Sequence, residues 1–159
     1  MQKLIEKTHY PQESEYSCIP ASIRMVFSAF EKGLGERYAE LDLINLLGTS
    51  QSGSLLENLM RISKLGFQVE VVSSNLSELL AYLQAKKKPV IVVVYAQYIP
   101  YLNSDSLHAV VVVRLDAQNI YFNAPLREEY PMILSHDEFQ RPWSVWGNLL
   151  IKPETIVGK

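Results

Sequence analysis

The stretch "HAVVVVRLDAQNIYF", residues 108–122, decides the fold class. Four consecutive valines and the "NIYF" run carry the β-branched and aromatic side chains that suit a pleated, buried surface, and "DAQ" (116–118) between them reads as a turn. The segment therefore reads as an antiparallel hairpin, turning at Asp116 and Ala117. Working outward, "PVIVVVYA" (89–96) and "WGNLLIKP" (146–153) add further strands, and "FQVEVV" (67–72) alternates as a strand should. The short run "LSELLAYLQAKK" (76–87) is helical. Before residue 67 the period changes to three and four: "IPASIRMVFSAF" (19–30), "YAELDLINLLG" (38–48) and "GSLLENLMRISKLG" (53–66) read as helices, the last two closed by glycine. Helices segregated from an antiparallel sheet define an α+β class, with a helical N-terminal half packed on the sheet.

At 159 residues and 48% hydrophobic composition the chain has room for one domain, 1–159, with a full core. No repeat, low-complexity tract or linker divides it. Fifteen basic and 17 acidic residues are dispersed, leaving a formal net charge of -2 and no basic stripe for phosphates, which argues against a nucleic-acid partner. The apolar runs fall well short of the ~20 residues a membrane span needs, and the N-terminus lacks the apolar core of a signal peptide. These features read as a protein made and kept in the cytoplasm. A single cysteine forms no internal disulfide, and with three scattered histidines it offers no zinc spacing. No cofactor or metal is implied.

That cysteine, Cys18, lies in "PQESEYSCIPASIRMVF" (11–27), where a polar stretch passes into a helix. Pro20 two residues later suits a first helical turn, so Cys18 is expected at a helix N-terminus, where the dipole and unpaired N–H groups favour a thiolate. The bland alternative is a small buried hydrophobe. Six residues earlier, Gln12 stands where a side-chain amide could join the Cys18 backbone N–H in stabilising an oxyanion; otherwise it is an exposed loop residue. Among the histidines, His9 and His136 read as surface residues. His108 opens a strand at a sheet end, as a catalytic base or as a histidine satisfied by backbone. With the hairpin turning at Asp116 and Ala117, His108 faces residue 125, and Asn123 becomes its diagonal neighbour on one face; a one-residue change of register would separate them.

Gln12, Cys18, His108 and Asn123, in that order, resemble the papain-like cysteine peptidases. The stretches "PQESEYSCIPASIRMVF", "TSQSGSLLENLMRISKLGFQVEVV", "PVIVVVYAQYIPYLNSDSLHAVVVV" and "IYFNAP" are similar to the bacterial peptidase family that removes double-glycine leaders from bacteriocin precursors, and to its stand-alone relatives, over roughly Tyr10 to Pro153. The resemblance implies a papain-like fold, a peptide or protein substrate, and four roles: Gln12 completing the oxyanion hole, Cys18 attacking, His108 as base and Asn123 orienting the histidine. Three departures stand out. Ile19 follows the nucleophile where that branch usually has glycine. Asn123 stands where aspartate is more usual. The chain contains neither a membrane span nor the phosphate-binding loop of the family's transporter members. A thiol acyltransferase or ligase, and a catalytically silent peptide-binding module of the same fold, are the alternatives. Tyr95, Tyr98 and Tyr101 wall a peptide groove or cover the sheet end, Trp143 and Trp146 read as packing, and the lysines at 86–88 suit a helix C-terminus.

Overall fold

The computed structural model describes residues 18–30, 39–50, 56–65, 67–86, 88–99, 107–124, 132–145 and 147–155. Among the described residues helix α1 spans Cys18–Phe30, and α2 (Glu40–Leu47) follows. The Asp42 carboxylate accepts the Ala39 N–H at 3.0 Å, which occupies one donor at the start of α2. Gly48 closes that helix at φ 64°, a left-handed conformation that glycine adopts without a Cβ penalty. The third expected helix is the tighter 3₁₀ form over Leu56–Leu65.

The remaining elements are β1 (Phe67–Ser73), α3 (Leu76–Lys86), β2 (Val90–Tyr95), a 3₁₀ turn at Ala96–Tyr98, β3 (Leu107–Leu115), β4 (Asn119–Asn123), β5 (Met132–Ser135), α4 (His136–Ser144) and β6 (Leu149–Thr155). The strands form one sheet in the order β1-β6-β2-β3-β4-β5, each pair antiparallel. The sequence pattern missed β5, whose four residues are too few for a period. Helix α4 is capped by Ser135, whose hydroxyl accepts the Glu138 N–H while the Glu138 carboxylate accepts the Ser135 N–H.

Both faces of the central strands are covered, which explains an unbroken valine run in place of alternation. On one face Ile91, Val93, Ala109, Val111 and Ile151 pack with Ile19, Ile23 and Val26 of α1, Leu43 and Leu47 of α2, and Leu59 and Ile62 of the 3₁₀ segment. On the other, Val90, Val92, Val94, Val110, Val112 and Phe122 pack with Leu79 of α3 and with Phe139 and Trp143 of α4. Trp143 is fully buried, as its packing role anticipates, and its indole N–H donates to the Leu149 carbonyl at 2.9 Å. At the sheet edge Glu70 and Lys152, paired across β1 and β6, form an ion pair of 2.8 Å.

The β3–β4 hairpin corrects the expected register. The turn lies at Ala117 and Gln118, one residue later than Asp116 and Ala117, because the Asp116 carboxylate accepts the N–H groups of Gln118 and Asn119 at 2.9 and 2.7 Å. Next to the turn Leu115 pairs with Ile120 and Arg114 with Tyr121; an irregularity between Val112 and Arg114 then shifts the ladder, so that Val112 pairs with Phe122 and Val111 with Asn123. Val113 is the extra residue of a bulge.

Candidate active site

Cys18 lies in α1, two residues before Pro20, and is the first of that helix's described residues. The residue is partly accessible. Its sulfur is nonetheless enclosed enough that burial pushes the thiol above its ordinary range. Backbone hydrogen bonds from Ala109, Ile19 and Cys18 itself pull the other way and Glu40 adds a further upward push, but desolvation is the largest effect. Burial therefore works against the activated thiolate that the sequence leads one to expect. Glu40, buried at the first position of α2, is a charge near the thiol that the sequence reading passed over. An acid at the start of an amphipathic helix reads as solvated, and only its 2% exposure reveals otherwise.

The hydrogen bond with Ala109 puts the sulfur against the start of β3, beside the residue that follows His108. The Ser22 hydroxyl, one turn along α1, lies 3.5 Å from the Ala109 carbonyl and ties the helix to the same point. His108 is itself buried, at 6% exposure, and desolvation lowers its pKa. Its partner across β2 is Val94, so its Cβ leaves the sheet on the face of Val94, Val110 and Val112.

Asn123 is opposite Val111 and so belongs to the other face, the one covered by α1. The expected diagonal relation with His108 is not formed. The Asn123 side chain is fully buried with neither amide atom hydrogen-bonded, so no hydrogen bond joins it to the histidine. Gln12, His9, Tyr101 and Trp146 lie outside the described residues. Ile19 turns into the core with Ile23 and Val26, away from the position where it would crowd a substrate. His136 is not simply a solvated residue: a ring nitrogen lies 2.8 Å from the Asp116 carbonyl and braces the hairpin turn. Tyr95 and Tyr98 stack edge to face, with centroids 5.1 Å apart, at the sheet end where β2 runs past His108. Among the described residues no cluster of His, Cys, Asp and Glu is arranged to hold a metal.

A cysteine on a helix that packs on an antiparallel sheet, with a histidine at the near end of a central strand, fits a papain-like α+β domain. The chain belongs to the peptidase C39 family, whose model matches residues 6–155. Solved structures share the fold. The peptidase domain of Streptococcus ComA, a bi-functional ABC transporter involved in a quorum-sensing pathway, is 22% identical, with 92% of this chain and 97% of that one covered and a TM-score of 0.72. A C39-like peptidase from Bacillus anthracis is 14% identical, with 98% of each chain covered and a TM-score of 0.72. A double-glycine-motif protease from an AMS/PCAT transporter, solved in complex with the leader peptide, is 16% identical, with 93% and 91% covered and a TM-score of 0.66. No curated protein matches the chain. Among the described residues no helix is long and apolar enough to cross a membrane.

Proposed function

We propose that this protein is a cysteine peptidase that cleaves a leader-type peptide after small residues, glycine above all. The observation that carries the reading is the Cys18 sulfur of α1, hydrogen-bonded to the backbone of Ala109 next to His108, in a chain of the C39 peptidase family. With the thiol pushed up and the imidazole pushed down, both groups rest neutral near pH 7. Cys18 packs on the α1 face and the His108 Cβ leaves β3 on the other, so the reaction requires the imidazole to reach the thiol around the end of β3; proton transfer from sulfur to His108 then accompanies attack on the peptide carbonyl rather than preceding it. The Cys18 backbone N–H and Gln12 stabilise the oxyanion. Protonated His108 passes its proton to the leaving amine, and water releases the acyl group and frees the thiol.

Selection of one substrate among many needs contacts beyond the scissile bond. A groove of about 290 Å³ between the 3₁₀ segment and β1, lined by Leu59, Met60, Val69 and Val71 with Glu57 beside them, offers the helical half an apolar surface for the leader. Met60, 73% exposed, is an apolar side chain with little protein around it. The cytoplasm is the compartment proposed for this activity.

A peptide library varied at the two residues before the scissile bond, read by mass spectrometry beside Cys18→Ala, tests the reading. Cleavage after Gly-Gly that is lost in Cys18→Ala supports it; cleavage mainly after bulky or charged residues removes the double-glycine preference. An acyl-enzyme released only by added amine points to a transferase. The catalytically silent binding module is the second reading, favoured by the desolvated thiol and by the separation of Asn123 from His108. Binding without any adduct or cleavage would establish it.

A further inference from the structure

The sheet end that carries His108 is walled on its β2 side by three side chains that the chemistry above does not use. Tyr95, the last residue of β2, pairs with Leu107, whose side chain packs in the α1-face core, so Tyr95 leaves the sheet on the face of Cys18. Ala96 and Ile99, on either side of the turn that follows, are buried in the core of the other face and anchor the turn there. Tyr98 stands between the two faces, 38% exposed, with its ring edge to face against Tyr95. The Arg141 guanidinium of α4 lies over the Tyr98 ring, 3.9 Å from its centroid. The array thus passes around the end of β2 from the Cys18 face to the α4 face, next to the end of β3 around which His108 reaches. A guanidinium stacked flat on a ring keeps its in-plane N–H donors available, and these match a carboxylate two at a time. Arg141 is exposed, and neither Asp137 nor Glu138 of the same helix forms an ion pair with it.

We propose that Tyr95, Tyr98 and Arg141 form a subsite for the peptide segment that follows the scissile bond, with the Arg141 guanidinium taking an acidic side chain of that segment. The direction comes from the proton. Protonated His108 gives it to the leaving amine, so the segment after the bond departs from the imidazole. The His108 Cβ leaves β3 on the face that α4 covers, and Arg141 belongs to α4. The assignment rests on the peptidase reading above and adds to it a charge preference on the far side of the cleaved bond.

The test walks one aspartate through the first residues after Gly-Gly in otherwise neutral peptides and compares each with its asparagine twin by kcat/KM. At the position that reaches Arg141 the aspartate peptide should be favoured roughly three- to tenfold, as suits a charge-assisted contact open to solvent. The ratio should shrink toward one at about 0.5 M salt, where screening acts over roughly 4 Å. Arg141→Glu should reverse the order and favour lysine over aspartate at that position, an outcome that misfolding cannot imitate. Tyr98→Leu should lower the ratio, because the guanidinium is no longer held flat. Equal rates for aspartate and asparagine at every position, or an aspartate preference that survives Arg141→Glu, would overturn the proposal. If no peptide is cleaved, fluorescence anisotropy of the same labelled peptides on Cys18→Ala separates the two readings. Tighter binding of the aspartate peptide, reversed when Arg141→Glu is added, keeps the subsite and sinks the peptidase; equal binding sinks both.

Discussion

Val111 stands directly across from Asn123, three residues beyond His108 on the same strand, so the histidine and the asparagine leave the sheet on opposite faces. Three residues is an odd step, and in a strand an odd step is a change of face.

The enclosed thiol sets the pH dependence of labelling. Because burial holds Cys18 above the usual cysteine range, its alkylation near neutral pH should be slower than that of a free cysteine peptide. The rate should still be climbing about tenfold per pH unit at pH 8, where a free thiol of pKa ~8.5 is beginning to level off. A plateau reached by about pH 7 would contradict the enclosure.

His108 should leave a signature in stability. Its folded-state pKa is depressed by desolvation, so between that value and the unfolded value of ~6.5 the unfolded chain binds more protons. Stability therefore falls as pH drops through about 6.5 and keeps falling until the folded state also takes up the proton. Thermal melts across this range should show the loss, and His108→Asn should flatten it; an unchanged slope in that variant would assign the loss to other groups.

Ile19→Ala separates packing from specificity. Ile19 is 6% exposed within the α1 core, so truncation should cost about 2–4 kcal/mol in urea unfolding. The preference among small residues at the cleavage site should not change. A shifted preference with stability intact would put the side chain in the cleft.

Asn123 bears an unmet cost. Two buried amide atoms without partners forgo hydrogen bonds worth about 1–3 kcal/mol each, so Asn123→Leu should be neutral or stabilising in the same assay. A loss above about 2 kcal/mol would show that the amide meets a polar group after all.

The groove beside β1 separates leader binding from chemistry. Met60→Asp should raise KM for a substrate with its full leader several-fold while leaving a short Gly-Gly peptide unaffected, because an exposed charge there disrupts only the apolar contact. Equal loss on both substrates would remove the groove from recognition.

Much of this was legible in the sequence because it depends on periodicity. The helix that carries Cys18, the glycine that ends α2 and the valine strands follow from local patterns. The site's registration does not. "VVVV" is the same residue four times, so no side chain marks Val113 as the bulged one, and the turn depends on which amides the Asp116 carboxylate takes. An error of one residue in either exchanges Asn123 for Ala124 on the His108 face. The upward push on the Cys18 thiol was unreadable for another reason: helix position is local, whereas burial depends on packing between segments distant in sequence.

The bulge at Val113 separates the two ends of one hairpin. From Arg114 to the turn, pairing is set by Asp116 and braced by His136; from Val112 toward His108 it follows the sheet. A residue inserted or deleted at the bulge changes how the strand bends without changing which residues pair on either side. The pairing at the His108 end of the hairpin is thus set by the sheet, and a change in the turn reaches it only across the bulge.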